Sequence, residues 1–170
     1  MLNHTTDQLI KTLDVCFIHQ YRLNEAANKL EHLFPLNEER YFACSSDEVA
    51  FIDQLIFRFA KLQDMIGDKL LRQVLAYVGE NMATLTFIDI LNKAEKFGLV
   101  NKKDDWMELR KIRNDVSHDY PVLSSETTAA LNMLIALKVT LEGILKNCVV
   151  FLTSQGFNYI IKNNPTTSFL

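Results

Sequence analysis

SSDEVAFIDQLIFRFAKLQDMIGDKLLRQVLAYVG, residues 45–79, decides the fold class. Its apolar residues recur at intervals of three and four: Ile52, Leu55, Phe59, Leu62, Ile66, Leu70 and Tyr77. That spacing draws one stripe down a helix, whereas a half-buried strand would alternate. Ser45 and Glu48 have the separation of a capping box, and Gly79 is a natural stop. Gly67 interrupts the run without changing its period, so a bend is expected there.

The same periodicity extends in both directions. Upstream, Leu9, Leu13, Cys16, Leu23, Ala27, Leu30 and Phe34 share a stripe over about 7–34, and Pro35 stops it. Downstream, a shorter helix is expected over about 84–97, closed by Gly98 with Leu99 as the hydrophobic contact behind a left-handed cap. A fourth starts near Asp104, carries Trp106, Leu109, Ile112 and Val116, and ends at Pro121. A fifth, about 125–154, is apolar around much of its circumference, as the central member of a bundle would be. The expected architecture is an all-α, antiparallel bundle of about five helices in one domain, residues 1–156, followed by a polar tail, 157–170.

Composition agrees with one soluble domain. The chain has 170 residues, 48% of them hydrophobic and 23% charged, which is ordinary for a globular protein and enough for a single core. The N-terminus lacks the basic and apolar regions of a secretory signal. The most apolar late stretch, MLIALKVTLEGILKNCVVFL (133–152), is broken by Lys138, Glu142 and Lys146. No membrane association and a cytoplasmic location are expected. Cys16, Cys44 and Cys148 are odd in number and widely separated, so reduced thiols are expected, with Cys16 and Cys148 as small core residues.

The chemistry concentrates in RKIRNDVSHDYP, residues 110–121, at the end of the fourth helix. At about 100° per residue, Arg113, Asn114, Ser117, His118 and Tyr120 form one polar arc, with Ile112 and Val116 opposite. The arc combines a permanent cation, an imidazole that titrates near neutrality, an amide and two hydroxyls. Metal-free cleavage of a phosphodiester would use such parts: His118 to move the proton of a ribose 2′-hydroxyl or leaving oxygen, Arg113 to stabilise charge on the phosphate, with Asn114 beside it. RNA supplies that internal nucleophile and DNA does not. The competing reading is a plain helix end, where cations complement the dipole and a pre-proline residue leaves the helical region.

Residues 113–120, Arg-Asn-Asp-Val-Ser-His-Asp-Tyr, resemble the Arg-x4-His-x-Tyr signature of HEPN-family proteins, specifically the HepT-like toxins. FIDQLIFRFAKLQDMIGDKLL (51–71) and residues 86–120 are similar in pattern to that family's second helix and motif region. The resemblance implies a homodimer in which two motifs meet to form one metal-independent endoribonuclease cleft. It implies a partner, a minimal nucleotidyltransferase antitoxin that adds AMP to the motif tyrosine, here Tyr120. It also admits a non-catalytic alternative, a substrate-binding subunit of a nucleotidyltransferase complex, and a bland third, a scaffold bundle with no nucleotide role.

Net charge is −3, so the chain is no general nucleic-acid binder. Residues 93–113 nonetheless carry seven cations against four carboxylates, and Lys102, Lys103, Arg110 and Lys111 are candidate RNA contacts beside the arc. No cofactor is expected, since phosphate-cradling glycine loops and the dinucleotide fingerprint are missing. No metal is expected either: Asp115 and His118 stand three apart, but no Glu-x-x-His motif occurs. His19 and His32 read as packing or surface residues.

Overall fold

The computed structural model describes residues 2–120, 122 and 124–160; the side chains of residues 2–4, 118 and 119 also lie outside that description. Every regular element among the described residues is helical. The order is α1 (Leu2–Lys29), α2 (Glu38–Phe42), α3 (Ser46–Asp64), α4 (Leu71–Tyr77), α5 (Phe87–Lys96), α6 (Lys103–Asp119) and α7 (Ser125–Ser154). A single π-turn, Met65–Leu70, joins α3 to α4 as one rod. The five expected helices are therefore α1, the α3–α4 rod, the shorter α5, α6 and α7, packed as an all-α bundle.

Local signals account for most boundaries. Ser45 Oγ accepts from the Glu48 amide while Glu48 returns a carboxylate to the Ser45 amide at 2.7 Å, so two otherwise orphaned donors are satisfied. Thr86 and Asp89 do the same for α5. Gly98 takes φ +71°, and Leu99, fully buried, donates back to the Ala94 carbonyl at 2.8 Å, which is the expected left-handed cap with its hydrophobic contact.

Three features differ from the sequence reading. The first helix stops at Lys29 rather than Phe34, and a 3-10 turn, Glu31–Leu33, follows. Pro35 forces Phe34 into an extended conformation, so the last turn tightens instead of continuing. A short helix, α2, occupies what reads as loop, capped by Asn37, whose Oδ1 accepts from the Arg40 amide at 2.8 Å. Asn132 of α7 fastens that connection by accepting from the Leu36 amide at 2.7 Å and donating to the Leu36 carbonyl at 2.8 Å. The expected bend at Gly67 is a π-turn: a Cβ on Gly67 would lie 2.6 Å from Cζ2 of Trp106, so the backbone yields to the indole.

The core is a single cluster that draws on α1, the α3–α4 rod, α5, α6 and α7, with Phe59, Leu62, Ile66, Leu131 and Leu145 among its fully buried members. Cys16 and Cys148 lie in it as buried free thiols. Burial pushes Cys16 up to about 12, so it is inert as a thiolate. Packing continues past Gly156: Phe157 is buried against Tyr77, and Tyr159 stacks on Phe17 and donates to Asp14 at 2.9 Å. The first residues of the expected tail thus belong to the packed body, while 161–170 lie outside the described residues. No helix among the described residues is long and apolar enough to cross a membrane.

Candidate functional site

The helix α6 reaches Asp119, and Tyr120 is its extended C-cap. Ile112, Val116, Leu109 and Trp106 are buried, as the stripe requires. That burial rotates the motif residues toward the flank shared with α3, the rod's first half. There Arg113 meets Asp64, its Nη2 donating to both carboxylate oxygens at 3.1 and 3.3 Å, while Nη1 donates to Asn114 Oδ1 at 3.1 Å. Both members of the pair are about one third exposed, 36% and 38%, so water still reaches the guanidinium.

The motif's other end is held in the same manner. The Tyr120 hydroxyl donates to Asp53 Oδ1, and its ring meets Tyr41 edge-on with centroids 6.5 Å apart. Burial, and then the hydrogen bond to the Asp53 carboxylate, push the Tyr120 phenol above its ordinary value, so it stays protonated and acts as a donor. Asp53 and Asp64 stand eleven residues apart, about three turns or roughly 16 Å along one stripe of α3. The two carboxylates grip the two ends of the motif, and their order shows that α3 and α6 run antiparallel. Ser117, between them on α6, is exposed and returns its hydroxyl to the Arg113 carbonyl at 2.6 Å.

Beside the Arg113–Asp64 pair lies a cleft of about 400 Å³ lined by Gln63, Asp68, Arg72 and Arg110, floored by Gly67 and walled by Trp106 and Phe87. Gly67 and Asp68 of the π-turn form part of its lining. Three guanidinium groups, from Arg72, Arg110 and Arg113, face two carboxylates, Asp64 and Asp68, so the cleft carries a slight positive excess. Gln63 is 4% exposed, and its Oε1 is buried without a hydrogen-bond partner.

Of the residues singled out in sequence, Arg113, Asn114, Tyr120 and Arg110 come together on this flank. Lys102 and Lys103 do not: they sit at the opposite end of α6, about 15 Å from Arg113 along the axis. There the Lys102 amide donates to Asp105 and the Lys103 amide to Glu95. Lys111 is exposed and makes no ion pair with Asp115 among the described residues. The His118 side chain lies outside the described residues. Asp53, Asp64 and Arg72 were not foreseen; the shared stripe of Asp53 and Asp64 was the available signal. Among the described residues no group of three His, Cys, Asp or Glu side chains could hold a metal ion.

Comparison of the chain with family models, curated proteins and solved structures yields no match.

Proposed function

We propose that the chain is the toxin of a toxin–antitoxin pair, a HepT-like HEPN endoribonuclease that works without metal as a homodimer. The observation that carries this reading is Arg113: water-accessible, beside a cleft it shares with Arg72 and Arg110, on the same helix as His118 and just over one turn before it. Arg113 stabilises the charge that grows on the phosphate as the ribose 2′-oxygen attacks phosphorus and the bond to the 5′-oxygen breaks. One imidazole takes the 2′-hydroxyl proton and the second copy's imidazole supplies a proton to the leaving oxygen. The products are a 2′,3′-cyclic phosphate and a 5′-hydroxyl. Asn114, hydrogen-bonded to Arg113, orients the guanidinium.

Control falls to Tyr120. Transfer of AMP from ATP by a partner nucleotidyltransferase forms a phenol oxygen–phosphorus bond and releases pyrophosphate. Asp53, already hydrogen-bonded to that hydroxyl, is positioned to take its proton. The adduct sets negative charge about two turns from Arg113 and fills the approach to the motif.

A second reading has its own support. With Arg113 paired to Asp64 and Tyr120 to Asp53, both ends of the motif are satisfied within one protomer, as suits a non-catalytic subunit that presents Tyr120 or a nucleotide to the transferase. Expression of the chain alone in cells separates the two. Growth arrest by the wild type and its loss in His118→Ala supports the nuclease, and harmless expression of unmodified wild type leaves the subunit. Intact mass after co-expression with the transferase should rise by AMP increments that vanish in Tyr120→Phe.

A further inference from the structure

Outside the motif, the strongest unassigned feature is on the face where α1 meets α3. His19 of α1 lies there among the cations Arg22, Arg58 and Lys61, and Arg58 and Lys61 of α3 also reach the exposed ring of Phe57. Arg58 Nη1 lies 3.2 Å from His19 Nδ1. A guanidinium only donates, so Nδ1 is the acceptor and the neutral ring carries its proton on Nε2. Burial first, then the charges of Arg58, Lys61 and Arg22, push the ring down to about 4. Among the described residues Arg22, Arg58 and Lys61 form no ion pair, and Arg58 Nε is buried without an acceptor. The three like charges repel one another.

Phe57 adds a second, independent element. It is 50% exposed, with Arg58 Cζ 5.1 Å and Lys61 Nζ 5.7 Å from its ring centroid. A half-bare ring with two cations close by offers its uncovered surface to a base while the neighbouring phosphates meet positive charge. Phe57 also stands four residues after Asp53 and seven before Asp64, about 6 Å and 10 Å along α3 from the carboxylates that hold Tyr120 and Arg113. A strand lying on this face leads to the motif.

We infer that Phe57, Arg22, Arg58 and Lys61 form a docking platform for single-stranded RNA, with an unpaired base on the Phe57 ring and phosphates on the three cations. The inference deepens the nuclease reading and rests on its RNA substrate. His19 contributes its Nε2 proton as a donor and fixes the Arg58 guanidinium through Nδ1. A duplex fits poorly because its bases are already stacked away from the ring.

The test uses the full chain and a fluorescent 2′-O-methyl oligoribonucleotide, which lacks the internal nucleophile, so binding is read without cleavage. Fluorescence anisotropy should give a Kd for the single strand that rises roughly five- to hundredfold in Phe57→Ala. In Arg22→Gln the Kd should rise and the salt slope should fall by about one. The duplex of the same sequence should bind more weakly than the strand, and the His19 ring signals in NMR should move on addition of the strand. Circular dichroism melts that match the wild type confirm that both variants are folded. The inference is overturned by wild-type affinity in both variants, by equal or tighter binding of the duplex, or by a change of oligomeric state in Phe57→Ala with RNA affinity unchanged, which would assign the ring to a second copy. Failure of the nuclease reading is distinct: the strand still binds through Phe57, but unmodified RNA stays intact.

Discussion

Replacing Gly67 by alanine should destabilise the protein, although the same change stabilises most helices. Helix propensity alone favours alanine over glycine by about 1 kcal/mol. At Gly67, however, the new methyl would stand 2.6 Å from Cζ2 and 3.1 Å from Cη2 of Trp106. The indole is 3% exposed and packs against Phe87 at 6.0 Å, so yielding to the methyl means breaking that packing. Overpacking of this kind costs about 1–3 kcal/mol, so after the propensity gain is subtracted the net effect should be a loss of up to about 2 kcal/mol. In a chain of this length that lowers Tm by up to roughly 8 °C. Gly143, in the middle of α7, is the internal control, because a methyl there meets nothing within 4 Å. Gly143→Ala should gain about 0.5–1 kcal/mol. Urea unfolding of the two variants, with Trp106→Phe added to each, reads the result: the Gly67 penalty should shrink in the Trp106→Phe background and the Gly143 gain should not change. If Gly67→Ala stabilises as Gly143→Ala does, the indole does not set the π-turn.

Three further outcomes follow from single contacts. His19 is held down to about 4 in the folded chain, below an ordinary value near 6.5. The unfolded chain therefore binds a proton that the folded one refuses, so stability falls as pH drops from about 6.5 to about 4. The change, discounted for a half-exposed ring, is about 1–2 kcal/mol, and His19→Gln should flatten that part of the urea profile. Asn132→Ala removes both bonds to the Leu36 peptide and should cost about 2 kcal/mol, with faster amide exchange at Leu36 than at Leu62. Asp64→Asn releases a partly exposed ion pair, so stability should change by less than about 1 kcal/mol while oligonucleotide binding tightens, because Arg113 loses its competing carboxylate.

The parts of this molecule written in local signals could be read from its sequence. Period and cap together placed the Ser45 start of the rod, the Gly98 stop and the Ser125–Ser154 limits of α7. The features that sequence did not reveal depend on residues far apart in the chain. The π-turn comes from Trp106 pressing on Gly67, and the docking of Tyr159 comes from Asp14 near the other end. The motif illustrates both cases. Helix phase put Arg113, Asn114 and Tyr120 on one flank, but the carboxylates that grip them, Asp64 and Asp53, come from a helix about fifty or more residues earlier. Spacing within α6 cannot report a neighbour on α3. The Lys102 and Lys103 pair shows the opposite error: proximity in sequence to the motif suggested a shared basic rim, while the rise of the helix carries them to its far end.

The most direct test of the account is RNA cleavage by the purified, AMP-free chain in the presence of EDTA. Fragments ending in 2′,3′-cyclic phosphate are expected from the wild type and none from Arg113→Ala or His118→Ala. Intact RNA with the wild type, or equal cleavage by both variants, would contradict it.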